Sequence, residues 1–422
     1  MTITTMRVES NTTLIRNCRA KRENKILLFL LLCIVLLYPE STNGFFIYIP
    51  QMIIGIIAAY ALSRTPRVKP TAAFLFFAVY MMITNYLFLT MNGKGGFFDI
   101  TISSMRLFYP FLSLIIGVFL RKRIKANTLV RLLFLFLLLE FIFAILQTNN
   151  NEFRIWSYSV FSQKESFLIN FVYTTGQRCL GTVGNPNTFG MLVIVLNSAI
   201  MIMSSYHQNK NSQRTLNFIS AILTLYIVIN TQSRTSAVLL VITFALIIYW
   251  RFTKRSKKNI IILIVASLGA IGLLSLIQAG ITREISLSEL DSRFLVWQMR
   301  IDEMYERAFF AEFASVFGIG YYSVRSMGFF DNIYLKVFVA AGITGLFVFM
   351  VPVISTFKTI MKKTRSEFKQ LAMVLFLMWI VGNMLVEYQE IFKLSTVTFI
   401  LLGYTLIEPE TTDEDATTSN DY

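Results

Sequence analysis

The sequence predicts an all-α fold: a polytopic membrane bundle of about twelve transmembrane helices with a large, partly helical outer loop. Three observations predict it. Only 15% of the 422 residues are charged and 55% are hydrophobic, against about 25% charged in a soluble protein. Apolar runs of about twenty residues recur along the chain, each long enough to cross a bilayer. The runs lack the alternation of a barrel strand, so their backbone groups must be satisfied within helices.

The spans fall at roughly 25–39, 45–62, 71–91, 102–120, 128–147, 187–206, 215–231, 235–250, 259–278, 331–353, 370–387 and 391–407. The first is short, and the seventh and eighth also read as one broken hairpin. The first run has a basic flank, but its end, Tyr38-Pro39-Glu40, offers no small-residue cleavage site, so it reads as a retained span. There is no obvious internal repeat. Gly93, Gly95 and Gly96 make a short turn and match no phosphate-cradling loop.

The net charge of +15 describes topology rather than nucleic acid, because Lys and Arg accumulate on the cytoplasmic side of membrane proteins. Most of the Lys and Arg fall in the alternate segments 1–25, 63–70, 121–131, 207–214, 251–258 and 357–369. Both termini are then cytoplasmic. Residues 1–407 form a single integral membrane domain with long outer loops at 148–186 and 279–330. Residues 408–422 are an acidic cytoplasmic tail without Lys or Arg, expected to be disordered. Basic inner loops need only insertion and anionic lipid to explain them. The outer loops mix acids and bases, which makes them the candidates for a site.

Cys18, Cys33 and Cys179 fall in the cytoplasm, a helix and the outer side, so no disulfide framework follows. His207 is the single histidine, which argues against a metal site built on His and Cys. Charges inside spans are costly and usually face a bundle interior or a watery cavity. Arg106 and Glu140, in the outer halves of adjacent spans, are expected to form a structural ion pair or a cavity wall. Lys336, Glu387 and Lys393 lie near outer helix ends, where snorkelling is an equal explanation.

Four stretches have the composition of a site. The first is Gln177-Arg178-Cys179-Leu180-Gly181-Thr182-Val183-Gly184-Asn185-Pro186-Asn187-Thr188-Phe189-Gly190. Asn185 and Pro186 suit a helix start, and Arg178 beside a helix N-terminus suits an anion. The second is the tight turn Thr231-Gln232-Ser233-Arg234. A guanidinium held there either caps and snorkels or donates two parallel bonds to a diphosphate.

The third stretch is an amphipathic loop helix. Leu287, Leu290, Phe294, Trp297, Ile301, Met304 and Ala308 form an apolar stripe, while Arg293, Arg300 and Arg307 share another face. Glu289 and Glu303 stand four residues before Arg293 and Arg307, so ordinary surface pairs also account for this pattern. The fourth is the return into the membrane: Asp331-Asn332, nine residues, Gly342, two residues, Gly345. Asp331 is a candidate N-cap, and the glycines would admit a neighbouring helix.

In combination these residues resemble the O-antigen ligase and O-antigen polymerase superfamily of bacterial polysaccharide assembly. The resemblance covers residues 175–350 and rests on Arg178 with Gly-Asn-Pro-Asn, Ser233-Arg234, Ser292-Arg293 with Trp297, Phe317-Gly318-Ile319-Gly320-Tyr321, and Asn332 with Gly342 and Gly345. It implies a glycosyltransferase of GT-C type acting on undecaprenyl-diphosphate-linked oligosaccharides at the outer face of the bacterial inner membrane, without cofactor or metal. Implied partners are the lipid-linked donor and acceptor and membrane lipid, with a chain-length regulator and a flippase as further ones, and no nucleic acid.

By the same resemblance Arg178, Arg234 and Arg293 bind the diphosphate, and Asp331 with Arg293 is catalytic. Asn185, Asn187, Asn332, Gly342 and Gly345 support the site. Ligases of the superfamily carry His where this chain has Asp331, which favours a polymerase. The rivals are a ligase, a twelve-span transporter or flippase, and a scaffold without chemistry of its own.

Overall fold

The computed structural model describes residues 24–39, 48–65, 68–91, 101, 104–161, 178–206, 210–252, 287–308, 311–328, 330, 332–363 and 366–407. These residues form helices and connecting turns, with no strand among them. In order the first helices are α1 (Asn24–Leu37), α2 (Ile49–Leu62), α3 (Lys69–Met91), α4 (Tyr109–Arg121), α5 (Ala126–Asn149) and α6 (Asn151–Phe161). Next come α7 (Pro186–Met203), α8 (Lys210–Thr231), α9 (Arg234–Phe252) and α10 (Leu287–Arg307). Last are α11 (Ala311–Phe317), α12 (Tyr321–Ser326), α13 (Ile333–Met361), α14 (Ser366–Leu385) and α15 (Phe392–Leu406).

Six of these, α3, α5, α7, α8, α13 and α14, contain stretches long and apolar enough to cross a membrane. Four shorter ones, in α1, α2, α9 and α15, are apolar. Ile56, Phe218 and Phe347 remain 68%, 68% and 70% exposed on such helices. Apolar surface of this kind suits lipid rather than water. The protein is a membrane protein. The predicted span at 259–278 and the tail from 408 lie outside the described residues. The predicted span at 102–120 starts later than expected: a 3-10 turn covers Met105–Phe108, and the helix begins at Tyr109 with Pro110 in its first turn. Proline's fixed φ suits that position and no other in the helix.

Helix α7 is the axis of the bundle. Only Asn187 and Met201 among its residues are not buried, because α5, α8, α9, α14 and α15 surround it. The most extensive pairing is α4 with α15, and glycine makes it possible. A Cβ on Gly117 would stand 2.0 Å from the Ile400 carbonyl oxygen, and one on Gly403 2.3 Å from that of Leu114. Reciprocal glycines let the two backbones touch, which is how helices associate where apolar burial gives little drive. Rings then tie the other layer: Phe74 lies 5.3 Å from Trp379 and 5.1 Å from Phe399, and Phe77 5.2 Å from Phe349. These join α3 to α13, α14 and α15.

Helix α13 is broken. Gly342 has φ 62° and ψ −160° inside it, a conformation that side chains resist. The interruption frees carbonyl groups, and the chain after α11 uses them: Ile319 N–H donates to Val339 O at 3.0 Å and Gly320 N–H to Ala340 O at 2.9 Å. Gly342 does admit a neighbouring helix, the end of α11, since a Cβ there would sit 2.2 Å from the Val316 carbonyl, whereas Gly345 faces Ala341 and Val337 of its own helix. Thr344 Oγ1 fastens the same contact by donating to Val316 O at 3.0 Å.

Candidate functional site

The loop ends of the helices meet through three sets of hydrogen bonds. The first holds residues 178–184, the stretch before α7. Cys179 to Gly184 are all buried, so their backbone groups need partners. Two polar residues on one face of α5 supply them. Gln147 Oε1 accepts from Leu180 N–H and Gly181 N–H, both at 2.9 Å, and its amide donates to Gly181 O at 3.1 Å. Two turns deeper, Glu140 accepts from Thr182 N–H at 3.2 Å and from the Thr182 hydroxyl. Glu140 thus has no need of Arg106, and the expected Arg106–Glu140 pair is replaced by this clamp. Lys393 lies within electrostatic reach of Glu140 and donates to Thr182 O and, at 3.1 Å, to Leu36 O. It is buried, not snorkelling.

The second set brings Arg178 to the α8–α9 turn. Its Nε donates to Thr231 O at 2.9 Å, and its Nη2 to Asn187 Oδ1 at 3.2 Å and Gln232 O at 3.5 Å. Gln232 takes φ 49°, and α9 begins two residues on at Arg234. Arg178 and Arg234, far apart in sequence, therefore belong to one turn. Asn185 is the N-cap of α7, accepting from Asn187 N–H at 2.9 Å and Thr188 N–H at 3.3 Å, with Pro186 next. Asn187 adds its carbonyl, which accepts from Ser236 at 3.0 Å.

Tyr158 of α6 closes this region by donating to Arg178 O. Burial pushes its phenol above the ordinary value, so it stays protonated as a donor. Burial does the same to the Cys179 thiol, which makes it an inert packing residue. Neither α6 nor the Gln147 clamp was expected from sequence. The signal was present, because Glu140 and Gln147 are two polar residues two turns apart on an apolar helix.

The third set surrounds the start of α13. Its N-cap is Asn332, which accepts from Tyr334 N–H at 2.9 Å and Leu335 N–H at 3.1 Å. The cap was expected at Asp331; residue 332 has the extended φ of −156° that an N-cap takes, so the role falls there. Asp331 itself lies outside the described residues. On either side of it the chain is fixed. Phe330 O accepts from Trp297 Nε1 of α10 at 3.1 Å, and Phe330 N–H donates to Glu387 Oε1 at 3.0 Å. One turn into α13, Lys336 Nζ lies 2.6 Å from both Glu387 Oε2 and Glu390 Oε2. Arg106 stands within reach of Glu390 and Glu387, which are its acidic neighbours in place of Glu140.

Burial and the Glu390 carboxylate push the Tyr321 phenol well above its usual value. Glu390 escaped the sequence reading because it falls between two spans, in the turn Tyr388–Glu390. Helix α10 carries Arg293 and packs on α11 and α13. The Arg293 side chain lies outside what the structure describes. Along the predicted apolar stripe Met304 is buried, whereas Phe294 is 61% exposed. Arg300 and Arg307 both pair with Glu303, the ordinary surface arrangement. Among the described residues no group of three or more His, Cys, Asp or Glu side chains is placed to hold a metal ion.

The three sets are continuous. Lys393, which holds Thr182, lies one turn after Glu390, which holds Lys336. The arrangement joins the Arg178–Arg234 turn, through Lys393 and Glu390, to the segment in which Phe330 and Asn332 are hydrogen-bonded. Residues 219–350 match the family model described as O-Antigen ligase. The match spans Arg234, Arg293, Asn332, Gly342 and Gly345, and agrees with the superfamily resemblance. No curated protein matches the chain.

Proposed function

We propose that this chain, with its O-antigen ligase domain at residues 219–350, polymerises oligosaccharide repeat units carried on undecaprenyl diphosphate. The observation that carries the reading is the bonding of Arg178 into the turn that ends at Arg234. Two guanidinium-bearing segments share one small region at a helix N-terminus, an arrangement suited to a diphosphate.

In this proposal the protein is a metal-independent glycosyltransferase of GT-C type. It has about twelve spans and both termini in the cytoplasm of a bacterium, and acts at the outer face of the inner membrane. Arg178, Arg234 and Arg293 hold the donor diphosphate. The acceptor hydroxyl attacks the anomeric carbon as the bond from that carbon to the diphosphate oxygen breaks. The electron pair leaves with the diphosphate, where the fixed cations stabilise it. The hydroxyl proton passes to Asp331 as general base. Glu387 and Trp297 are positioning residues, since they fix Phe330 on the side of Asp331. Both substrates are lipid-linked in one leaflet, so binding them side by side replaces a slow encounter by a positioned one. A flippase that delivers repeat units and a chain-length regulator are the partners such a reaction calls for.

The second reading is a ligase that moves finished glycan to another acceptor, favoured by the description of the matching family model. Deletion separates the two. Loss of a polymerase leaves single repeat units on the acceptor, whereas loss of a ligase leaves long polymer on the carrier lipid.

A further inference from the structure

We infer that Arg154 is a further cation of this site, poised to take a phosphate oxygen of a lipid diphosphate. The inference rests on the diphosphate reading above. Arg154 lies on α6 and is only 9% exposed. Its Nη2 donates to Asn151 Oδ1 at 2.6 Å. Its Nε and Nη1 are buried and have no hydrogen-bond partner among the described residues. Arginine cannot shed its proton to relieve such a state, and a buried charge without a partner is strongly destabilising. The one acid on the same helix, Glu152, is exposed.

The position of this guanidinium is not arbitrary. One turn further along α6, the Tyr158 hydroxyl donates to the carbonyl of Arg178. Both Arg154 and Arg178 act electrostatically on that hydroxyl. Between them Ser157 Oγ accepts from Gln147 Nε2 at 3.0 Å, which locks α6 to the clamped 178–184 segment. Arg154 is thereby held one turn from Tyr158, whose hydroxyl meets the Arg178 carbonyl, with two of its three nitrogens unsatisfied among the described residues. An anion carrying several acceptor oxygens satisfies both, and a diphosphate reaching Arg178 and Arg234 would come within the same region. Stability given up in the free protein is recovered when the ligand binds, the usual origin of strained or unpaired groups at sites.

The test uses the full chain in lipid nanodiscs, with undecaprenyl diphosphate as the probe and inorganic diphosphate as the competitor. Arg154→Met removes the unpaired charge at similar volume, and Arg154→Lys keeps the charge with fewer donors. The expected result is that Arg154→Met unfolds at a higher temperature than wild type in the absence of the probe, yet binds the probe at least ten-fold more weakly, with Arg154→Lys between. Arg154→Met that unfolds earlier and binds as tightly as wild type would make Arg154 structural and overturn the inference. Wild-type protein that fails to bind the probe would overturn the diphosphate reading itself. Inorganic diphosphate competing as well as the lipid would overturn the assignment to a lipid-borne anion.

Discussion

The Glu387 carboxylate accepts the amide hydrogen of Phe330 at 3.0 Å. One side chain between α14 and α15 thus fixes the backbone immediately before Asp331. The other oxygen of Glu387 meets Lys336, which Glu390 also holds. Removing Lys336 leaves the buried Glu390 and the half-buried Glu387 carboxylates without the ammonium bonded to both. Lys336→Met should therefore destabilise the protein by about 3–5 kcal/mol, read as a lower thermal midpoint in detergent. Lys336→Met with Glu387→Gln and Glu390→Gln should recover most of the loss. A single substitution that unfolds like wild type would show the ion triad to be dispensable.

Gly342 and Gly345 should respond differently to alanine. At Gly342 the new Cβ meets backbone, 2.2 Å from Val316, and φ is 62°. At Gly345 it meets first the Ala341 side chain at 2.5 Å. Backbone strain alone is worth about 1–3 kcal/mol, so Gly342→Ala should be the more damaging of the two. Limited proteolysis between α11 and α12 measures it, since the loop they bracket depends on the break. Equal resistance in both variants would contradict the role given to the break.

Arg178 both holds the Thr231–Gln232 turn and is assigned to the diphosphate. Arg178→Ala should lose stability and long glycan chains together. Arg234→Ala should lose chains while the thermal midpoint shifts little. Chain-length ladders on gels and unfolding curves on the same membranes separate the two effects. Normal ladders from both variants would remove these arginines from the site.

Glu140→Gln should be tolerated structurally, because an amide oxygen can still accept from Thr182. Glu140→Leu leaves Thr182 N–H without a partner, whereas the charge beside Lys393 is lost in both variants. A buried unsatisfied group costs about 1–3 kcal/mol, so this variant should express poorly or unfold early. Equal midpoints for the two variants would mean that Glu140 does not clamp the 178–184 segment.

The helices were legible in the sequence because apolar runs of bilayer length announce themselves. Their facing was not. Spans that are apolar on every side carry no stripe to say which neighbour they meet, so Arg106 and Glu140 looked like partners merely because their helices are consecutive. The Asn185-Pro186 helix start was readable from local chemistry, and the structure has it. Close packing at Gly342 was readable from its spacing, but the break in the helix there was not, because a break filled from a distant segment is a tertiary event. Glu390 and Gln147 were missed for a related reason. Each acts across a long sequence separation, on Lys336 and on Gly181, and no local pattern marks such partners.

The most direct measurement is the reaction of the purified protein with an undecaprenyl-diphosphate-linked repeat unit in reconstituted vesicles, following glycan length and free undecaprenyl diphosphate together. Wild type should release one undecaprenyl diphosphate for each glycosidic bond formed, and Arg178→Ala should release almost none. Chain growth that continues unchanged in Arg178→Ala, or lipid crossing the vesicle without any change in glycan length, would contradict the account.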